Sequence, residues 1–273
     1  MSNKRNEESW DKLSDHYQAA QIISLENIHY NAYGPGEREL GIIGNVKGLD
    51  VLEVGCGGGQ NSIVLAKWGA KSVVGLDQSD KQLEYARRVA DSVGVDVSFI
   101  KSDMEDMSVL EDATFDLIVS MHAMNYVSDI QKVFNECSRV LRVGGRFVTC
   151  MSHPIWLVFG EAMELNDLSK IVNYFKDERE IWDWTDYDGE SIATFESTGW
   201  RLGQIINGLI FAGLRIEGIY EPRGYNRKEI EAVPPEAMPY RESKDPYYPF
   251  IDTNQIFPNS IIVSAKKEKH NSI

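Results

Sequence analysis

The sequence predicts an α/β fold: a doubly wound, mostly parallel seven-stranded sheet with helices on both faces and an inserted cap. Three observations carry this. Short apolar, β-branched-rich runs alternate with segments of helical period up to residue 150. That rhythm breaks over residues 151–199 and returns from about residue 200. A glycine-dense turn, Gly55 to Gly59, joins the first apolar run to the first helical segment.

The runs 50–54, 72–76, 95–100 and 115–120 are short and apolar, as buried parallel strands are. A fifth run, 146–150, follows the turn Val143-Gly-Gly145. Between them, 60–68 is helical. So is 79–93, where Leu83, Ala86, Val89 and Ala90 recur at spacings of three and four. Ser79 is a good N-cap for this helix, and Gly94 suits its C-terminal left-handed position. Segment 129–141 repeats the pattern with Ile130, Val133, Phe134, Cys137, Val140 and Leu141. Right-handed crossovers then give a doubly wound sheet. A helix at 201–212 and strands at 214–220 and 259–265 complete it, with 224–254 read as a long loop rich in Pro, Glu and Tyr. The interruption reads as a helix around Glu161–Phe175 and a β-hairpin over 179–196 turning at Asp188-Gly189. The expected organisation is an N-terminal helical lid (1–46), a core (47–150 and 200–266) and an inserted cap (151–199).

The 273 residues suggest one large domain or a core with an insert, and 42% hydrophobic with 26% charged residues is ordinary for a globular protein. No run is apolar for the roughly 18 residues a membrane span needs, and with no apolar run in its first residues the N-terminus is not expected to act as a secretory signal. Cys56, Cys137 and Cys150 form neither a metal-ligand spacing nor a disulfide framework. A cytoplasmic protein without a structural metal or a membrane partner is expected. The net charge of −14 repels phosphate backbones, so no nucleic-acid partner is expected either. The short basic tail 266–269 reads as a solvated terminus. Oligomeric state is open.

The glycine turn is the most informative stretch. Glycines there permit positive φ and a close backbone approach to a ligand, with helix N-terminal N–H groups facing it. A dinucleotide fingerprint, G-x-G-x-x-G, would need glycine at position 60 or 62, where Gln60 and Ser62 stand. No Gly-Lys-Ser/Thr ends the turn, so it is not a P-loop. What is present is acid-x-G-x-G-x-G, starting at Glu53.

Together with Asp77 ending the second strand, Asp103 after the third, the run 115–120 and the turn 143–145, this resembles the class I S-adenosylmethionine (SAM)-dependent methyltransferases, of the small-molecule, type 11-like kind. The resemblance covers roughly 47–150 and, more weakly, 200–266. It implies a Rossmann-like core, SAM as cofactor and S-adenosyl-L-homocysteine (SAH) as product. Asp77 then accepts hydrogen bonds from the vicinal ribose hydroxyls, and Gln78 lines the adenine pocket. Asp103 takes the adenine amine, and Met104 packs on the ring. Gly55, Gly57 and Gly59 leave room for the methionine part, and Glu53 meets the loop or, through water, the methionine amine. Met121 and His122 leave the fourth strand where open α/β sheets bind ligands. The segment 10–17 resembles a lid helix, with Tyr17, or else Tyr33, closing over the cofactor. Each of these also has a plain reading: helix cap, loop acid or core anchor.

Methyl transfer from a sulfonium is an in-line displacement in which alignment does most of the work. A base is needed only if the acceptor sheds a proton early. His122 and His153 are the candidates; His16 and His29 are weaker ones. The acceptor is expected to be a small molecule methylated on N or O. The insert is expected to build its pocket, with Trp182, Trp184 and Tyr187 interleaved with Asp183, Asp186 and Asp188. Residues 182, 184 and 186 share a strand face, so packing of that face on the core is the competing reading. Tyr225, Tyr240, Tyr247 and Tyr248 are further candidates to cover the acceptor. The competing functions are a non-catalytic SAM-binding regulator, an NAD-dependent oxidoreductase, and an RNA or protein methyltransferase. The glycine spacing opposes the second. The charge opposes RNA, and no Asn-Pro-Pro-Tyr-type stretch follows the fourth strand.

Overall fold

The computed structural model describes residues 2–176, 179–186, 189–242 and 248–269. In chain order the elements are α1 (Ser2–Ala20), β1 (Gln21–Ile23), α2 (Glu37–Leu40), β2 (Asp50–Val54), α3 (Gln60–Lys67), β3 (Ser72–Asp77), α4 (Asp80–Val93), β4 (Ser98–Lys101) and β5 (Phe115–Met121). Then follow α5 (Ile130–Val140), β6 (Leu141–Ser152), α6 (Pro154–Glu164), β7 (Glu180–Thr185), β8 (Ser191–Ser197), α7 (Leu202–Phe211), β9 (Leu214–Tyr220), α8 (Arg227–Ala232), β10 (Tyr240–Glu242), α9 (Tyr248–Thr253) and β11 (Ser260–Lys267).

Seven strands form one sheet in the order β4-β3-β2-β5-β6-β11-β9. Neighbours from β4 to β6 run parallel, and β11 is antiparallel to both β6 and β9. Side chains on a strand alternate faces, so β2 feeds two cores. Leu52 and Val54 pack with Val133, Phe134 and Cys137 of α5 and Ile205 and Leu209 of α7. Val51 packs on the other face with Val64 and Leu65 of α3 and with Ile28, Tyr30 and Ile43 of the N-terminal segment. The crossover order leaves the C-terminal ends of β2, β3 and β5 open at one edge, where a doubly wound sheet binds its ligand.

Local signals explain the helices. Ser79 accepts from Gln82 N, and Gly94 ends α4 at φ 69°. Asp129 caps α5 by accepting from Gln131 N and Lys132 N. The Val143-Gly-Gly145 turn sits inside β6: Phe115 pairs Leu141 and Leu117 pairs Arg146, so 142–145 loop out between them.

Three expectations are corrected. The helix expected around Glu161–Phe175 is α6, which starts seven residues earlier and ends at Glu164. Pro154 occupies its first turn and His153 Nδ1 accepts from Ile155 N at 3.0 Å, so the helix starts there. The stretch 224–254 is not one loop: it carries α8, β10 and α9, and β10 pairs antiparallel with β1. The strand expected from residue 95 begins at Ser98, where pairing with Val74 of β3 starts. The hairpin is present as β7 and β8, in register from Glu180↔Ser197 to Trp184↔Ala193 with a shift before Thr185↔Ser191. Tyr187, Asp188 and Tyr247 lie outside the described residues.

The hairpin packs on α1. Trp10 of α1 meets Phe195, Trp184 and Tyr126 at ring-centroid distances of 5.0–6.4 Å. Asn6 donates to Tyr126 O and Glu196 O and accepts from Glu196 N. Among the described residues no helix is long and apolar enough to cross a membrane.

Candidate active site

The turn after β2 begins at Gly55, φ 71°. A Cβ there would stand 2.3 Å from Ala123 Cβ, so only glycine lets the end of β2 approach the segment after β5. Gly57 has φ 49°, and a Cβ there would meet nothing nearer than Gln82 Oε1 at 3.9 Å. This is open space beside the backbone. Gly59 differs. Its Cβ would strike Ala86 and the Phe99 ring at 2.8 Å, so it serves packing and the start of α3, and it does not line the cleft.

Two carboxylates organise the turn. Asp77, at the end of β3, accepts from Gly57 N at 2.8 Å and Ser79 N at 2.9 Å. Burial raises its pKa, against the lowering by those N–H donors. Each oxygen keeps further lone pairs. Glu53 is buried and accepts from Asn61 Nδ2 at 3.1 Å and from Ser62 Oγ. Desolvation pushes its carboxyl up to about 7.

These groups open on a cleft of about 410 Å³, within the range of small-molecule sites. Of the residues expected to bind cofactor, Tyr17, Tyr33, Glu53, Gly55, Gly57, Asp77, Gln78, Met104 and Met121 line it, and so does His122. Asp103 does not. Its carboxylate accepts from Glu105 N at 2.9 Å in a local turn, while its neighbours Ser102 and Met104 face the cleft. His153 does not line it either. Its Nδ1 caps α6 and its Nε2 is 2.8 Å from Glu221 Oε1, which leaves neither ring nitrogen for a substrate.

His122 is different. It has φ 56°, a strained conformation for a non-glycine residue and one that gathers at functional sites. Its N–H donates to Cys150 O, fixing it to β6. The ring Nε2 lies 2.6 Å from Tyr30 O. A carbonyl only accepts, so Nε2 carries the hydrogen and, in the neutral ring, Nδ1 holds a lone pair. Burial lowers the imidazole pKa. His29 stacks over it at 6.3 Å, and burial pushes the His29 pKa down to about 3.

Helix α1 is tied across the turn. Gln18 donates to Gln82 Oε1 at 2.8 Å and accepts from Gln60 Nε2 at 2.7 Å. Asp11 accepts from Ser79 Oγ and Lys81 N. A strap made of β1 and β10 covers the same side. Tyr33 N donates to Tyr240 O at 3.0 Å, and Tyr33 Oη accepts from Glu242 N at 3.0 Å. Tyr17 and Tyr240 both line the cleft on this side.

The cleft also has polar walls, of which the sequence marked only His29. His29 Nδ1, Asn31 Oδ1 and Asn61 Oδ1 are buried without a hydrogen-bond partner, and all three residues line it. Buried polar atoms without partners are costly and mark a place for ligand groups. Gln60 and Asn61 could have been found: two buried amides open α3 where core packing needs none. A second cavity of about 310 Å³ shares His122, Tyr126 and Ser152 with the cleft, and most of its remaining wall comes from residues 154–200. The hairpin's Trp184 lines the cleft and Trp182 the second cavity, while Asp183 points to solvent.

Residues 52–149 match the family model described as a methyltransferase domain. The chain is 32% identical over 185 residues to an uncharacterized methyltransferase, YbaJ, of Bacillus subtilis, covering 66% of this chain and 71% of that protein. It is 37% identical over 100 residues to a ubiquinone biosynthesis O-methyltransferase of Rhizobium etli, a match spanning 37% of this chain and 40% of that enzyme. Among solved structures, a SAM-dependent methyltransferase from Mesorhizobium loti superposes with TM-score 0.58 and 22% identity, over 84% of this chain and 95% of that one. At that identity the likeness speaks for the fold alone.

Proposed function

This chain belongs to the class I SAM-dependent methyltransferase family, and we propose that it methylates a small-molecule N or O acceptor by in-line displacement. The observation that carries the reading is the meeting of the glycine turn, Asp77, the lid helix and His122 around one cleft.

The residues present fit the cofactor. Asp77 has lone pairs for two ribose hydroxyls beyond the two backbone N–H groups it already accepts. Gln78 and Met104 would flank the adenine, and Ser102 replaces Asp103 as the polar neighbour on that side. Glu53, His29 and Asn61 offer acceptors near the glycine turn, suited to an ammonium group. Tyr17 and Tyr240 would close over the bound molecule. SAM supplies, when bound, a methyl group on a positively charged sulfur. The protein's part is to hold donor and acceptor in line and to keep bulk water out, which α1 and the strap do. The small-molecule reading is supported by this enclosure and by the net charge of −14.

The test is Asp77→Ala, with SAH affinity read by titration calorimetry. Two charge-assisted hydrogen bonds at about 1–3 kcal/mol each predict at least a tenfold loss. Unchanged affinity would remove the ribose assignment.

A further inference from the structure

We propose that the second cavity is the acceptor subsite, and that it takes an uncharged, flat, mainly apolar molecule carrying one hydroxyl, seated with that hydroxyl at His122. The proposal rests on the methyl-transfer reading above. It adds the place and the chemical class of the acceptor.

The position comes first. The cavity is separated from the cleft only by His122, Tyr126 and Ser152, the residues that line both. A molecule in it therefore faces the cleft across the imidazole. At about 310 Å³ it stands at the small end of ligand sites.

The walls give the class. Leu157, Val158, Val172, Trp182 and Trp200 supply aliphatic and ring surface. Several of the polar groups among them are already engaged with the protein. Trp200 Nε1 donates to Met124 O at 2.7 Å and Trp182 Nε1 to Ser197 Oγ at 3.0 Å. Asn125 Nδ2 donates to Thr198 O at 3.0 Å. The charged lining residues are Lys176 and Glu180, 3.8 Å apart and of opposite sign. Their charges offset one another, so the described lining carries no net charge, and an ion desolvated between two indoles without a partner is strongly disfavoured. Stacked or edge-on contact with a flat, neutral ring suits these walls.

His122 gives the hydroxyl. Its Nε2–H is held by Tyr30 O, so its lone pair is on Nδ1, for which no hydrogen bond is formed among the described residues. A neutral imidazole nitrogen accepts from O–H. In the reaction the acceptor's O–CH₃ bond forms as the CH₃–S bond of SAM breaks. The electron pair of that bond goes to sulfur and leaves a neutral thioether. The hydroxyl proton goes to His122 Nδ1 and then to water.

The test uses calorimetry on the full chain with SAH present. The probes are 2-naphthol, 2-methoxynaphthalene, 2-naphthoate and 2-naphthylmethylammonium. The expected result is that 2-naphthol binds, at least tenfold tighter than either charged probe and several-fold tighter than the methoxy probe. Two plugging variants follow. Leu157→Trp fills the cavity from α6. Gly199→Leu enters from the opposite wall, where an added Cβ would meet only Leu157, at an ordinary 3.5 Å. Each should weaken 2-naphthol at least tenfold and leave SAH affinity within twofold. Equal binding of a charged probe, equal binding of the methoxy probe, or 2-naphthol binding unaffected in a folded plugging variant would overturn the proposal. So would SAH binding with no binding of 2-naphthol. Failure of SAH itself to bind would instead overturn the methyl-transfer reading beneath it.

Discussion

Glu53 makes folding stability depend on pH in an unusual direction. It is a carboxylate 1% exposed, with Asn61 and Ser62 as its partners and no cation bonded to it among the described residues. Burial raises its pKa from 4.5 to about 7. A raised folded pKa means that the folded protein holds the proton more tightly than the unfolded chain does. The stabilisation is fully present below pH 4.5 and is lost as pH rises through about 7. The full interval corresponds to roughly 3 kcal/mol, most of it falling between pH 5 and 8. Glu53→Gln replaces the titrating group by a neutral one of the same shape. The assay is urea unfolding of both proteins at pH 5 and pH 8. The variant should gain about 2–3 kcal/mol relative to the parent between those two values. The two proteins share every other titrating group, so the contributions of groups that do not interact with Glu53 cancel in the difference; Asp77 and Cys56, whose charges interact with it, are the exceptions. Parallel stability curves would refute the reasoning, and so would a relative gain by the parent as pH rises.

Other predictions follow from the same geometry. Gly55→Ala forces a Cβ to within 2.3 Å of Ala123 Cβ at a φ of 71° and should cost about 2–4 kcal/mol of stability; a variant as stable as the parent in urea would contradict the close approach. His153→Ala removes a helix cap and its Glu221 contact, costing about 1 kcal/mol in thermal or urea unfolding while methyl transfer persists. His122→Ala should lower turnover by about 10²-fold with little change in SAH affinity, and a turnover ratio near one would exclude a proton-accepting role.

The core was legible because its signals are local. The buried runs at 50–54, 72–77 and 115–121, the Ser79 cap and the left-handed Gly94 are set by side-chain period and backbone sterics within one element. The start of α6 was not, because its capping residue is a histidine and not one of the usual small polar caps. The strap was not legible either. Strands β1 and β10 have three residues each and exist through pairing with one another across more than 200 positions of sequence, which no periodicity announces.

The site divides in the same way. Residues fixed by the turn and by strand ends, such as Glu53, Gly55, Asp77 and Met121, could be named from sequence, because the sheet edge determines where they stand. Asp103 and His153 are adjacent to the right places, but their side chains are taken up by a local turn and a helix cap. Asn31 reaches the cleft only through tertiary folding of the N-terminal segment, so neither motif nor spacing marked it, whereas His29 and Tyr240, both candidates from the sequence, also line it.

The most direct measurement of the central claim is calorimetric titration of the protein with SAM, SAH and NAD side by side. The glycine turn, Asp77 and the lid predict micromolar binding of SAM and SAH and none of NAD. Binding of NAD alone, or of none of the three, would contradict the account.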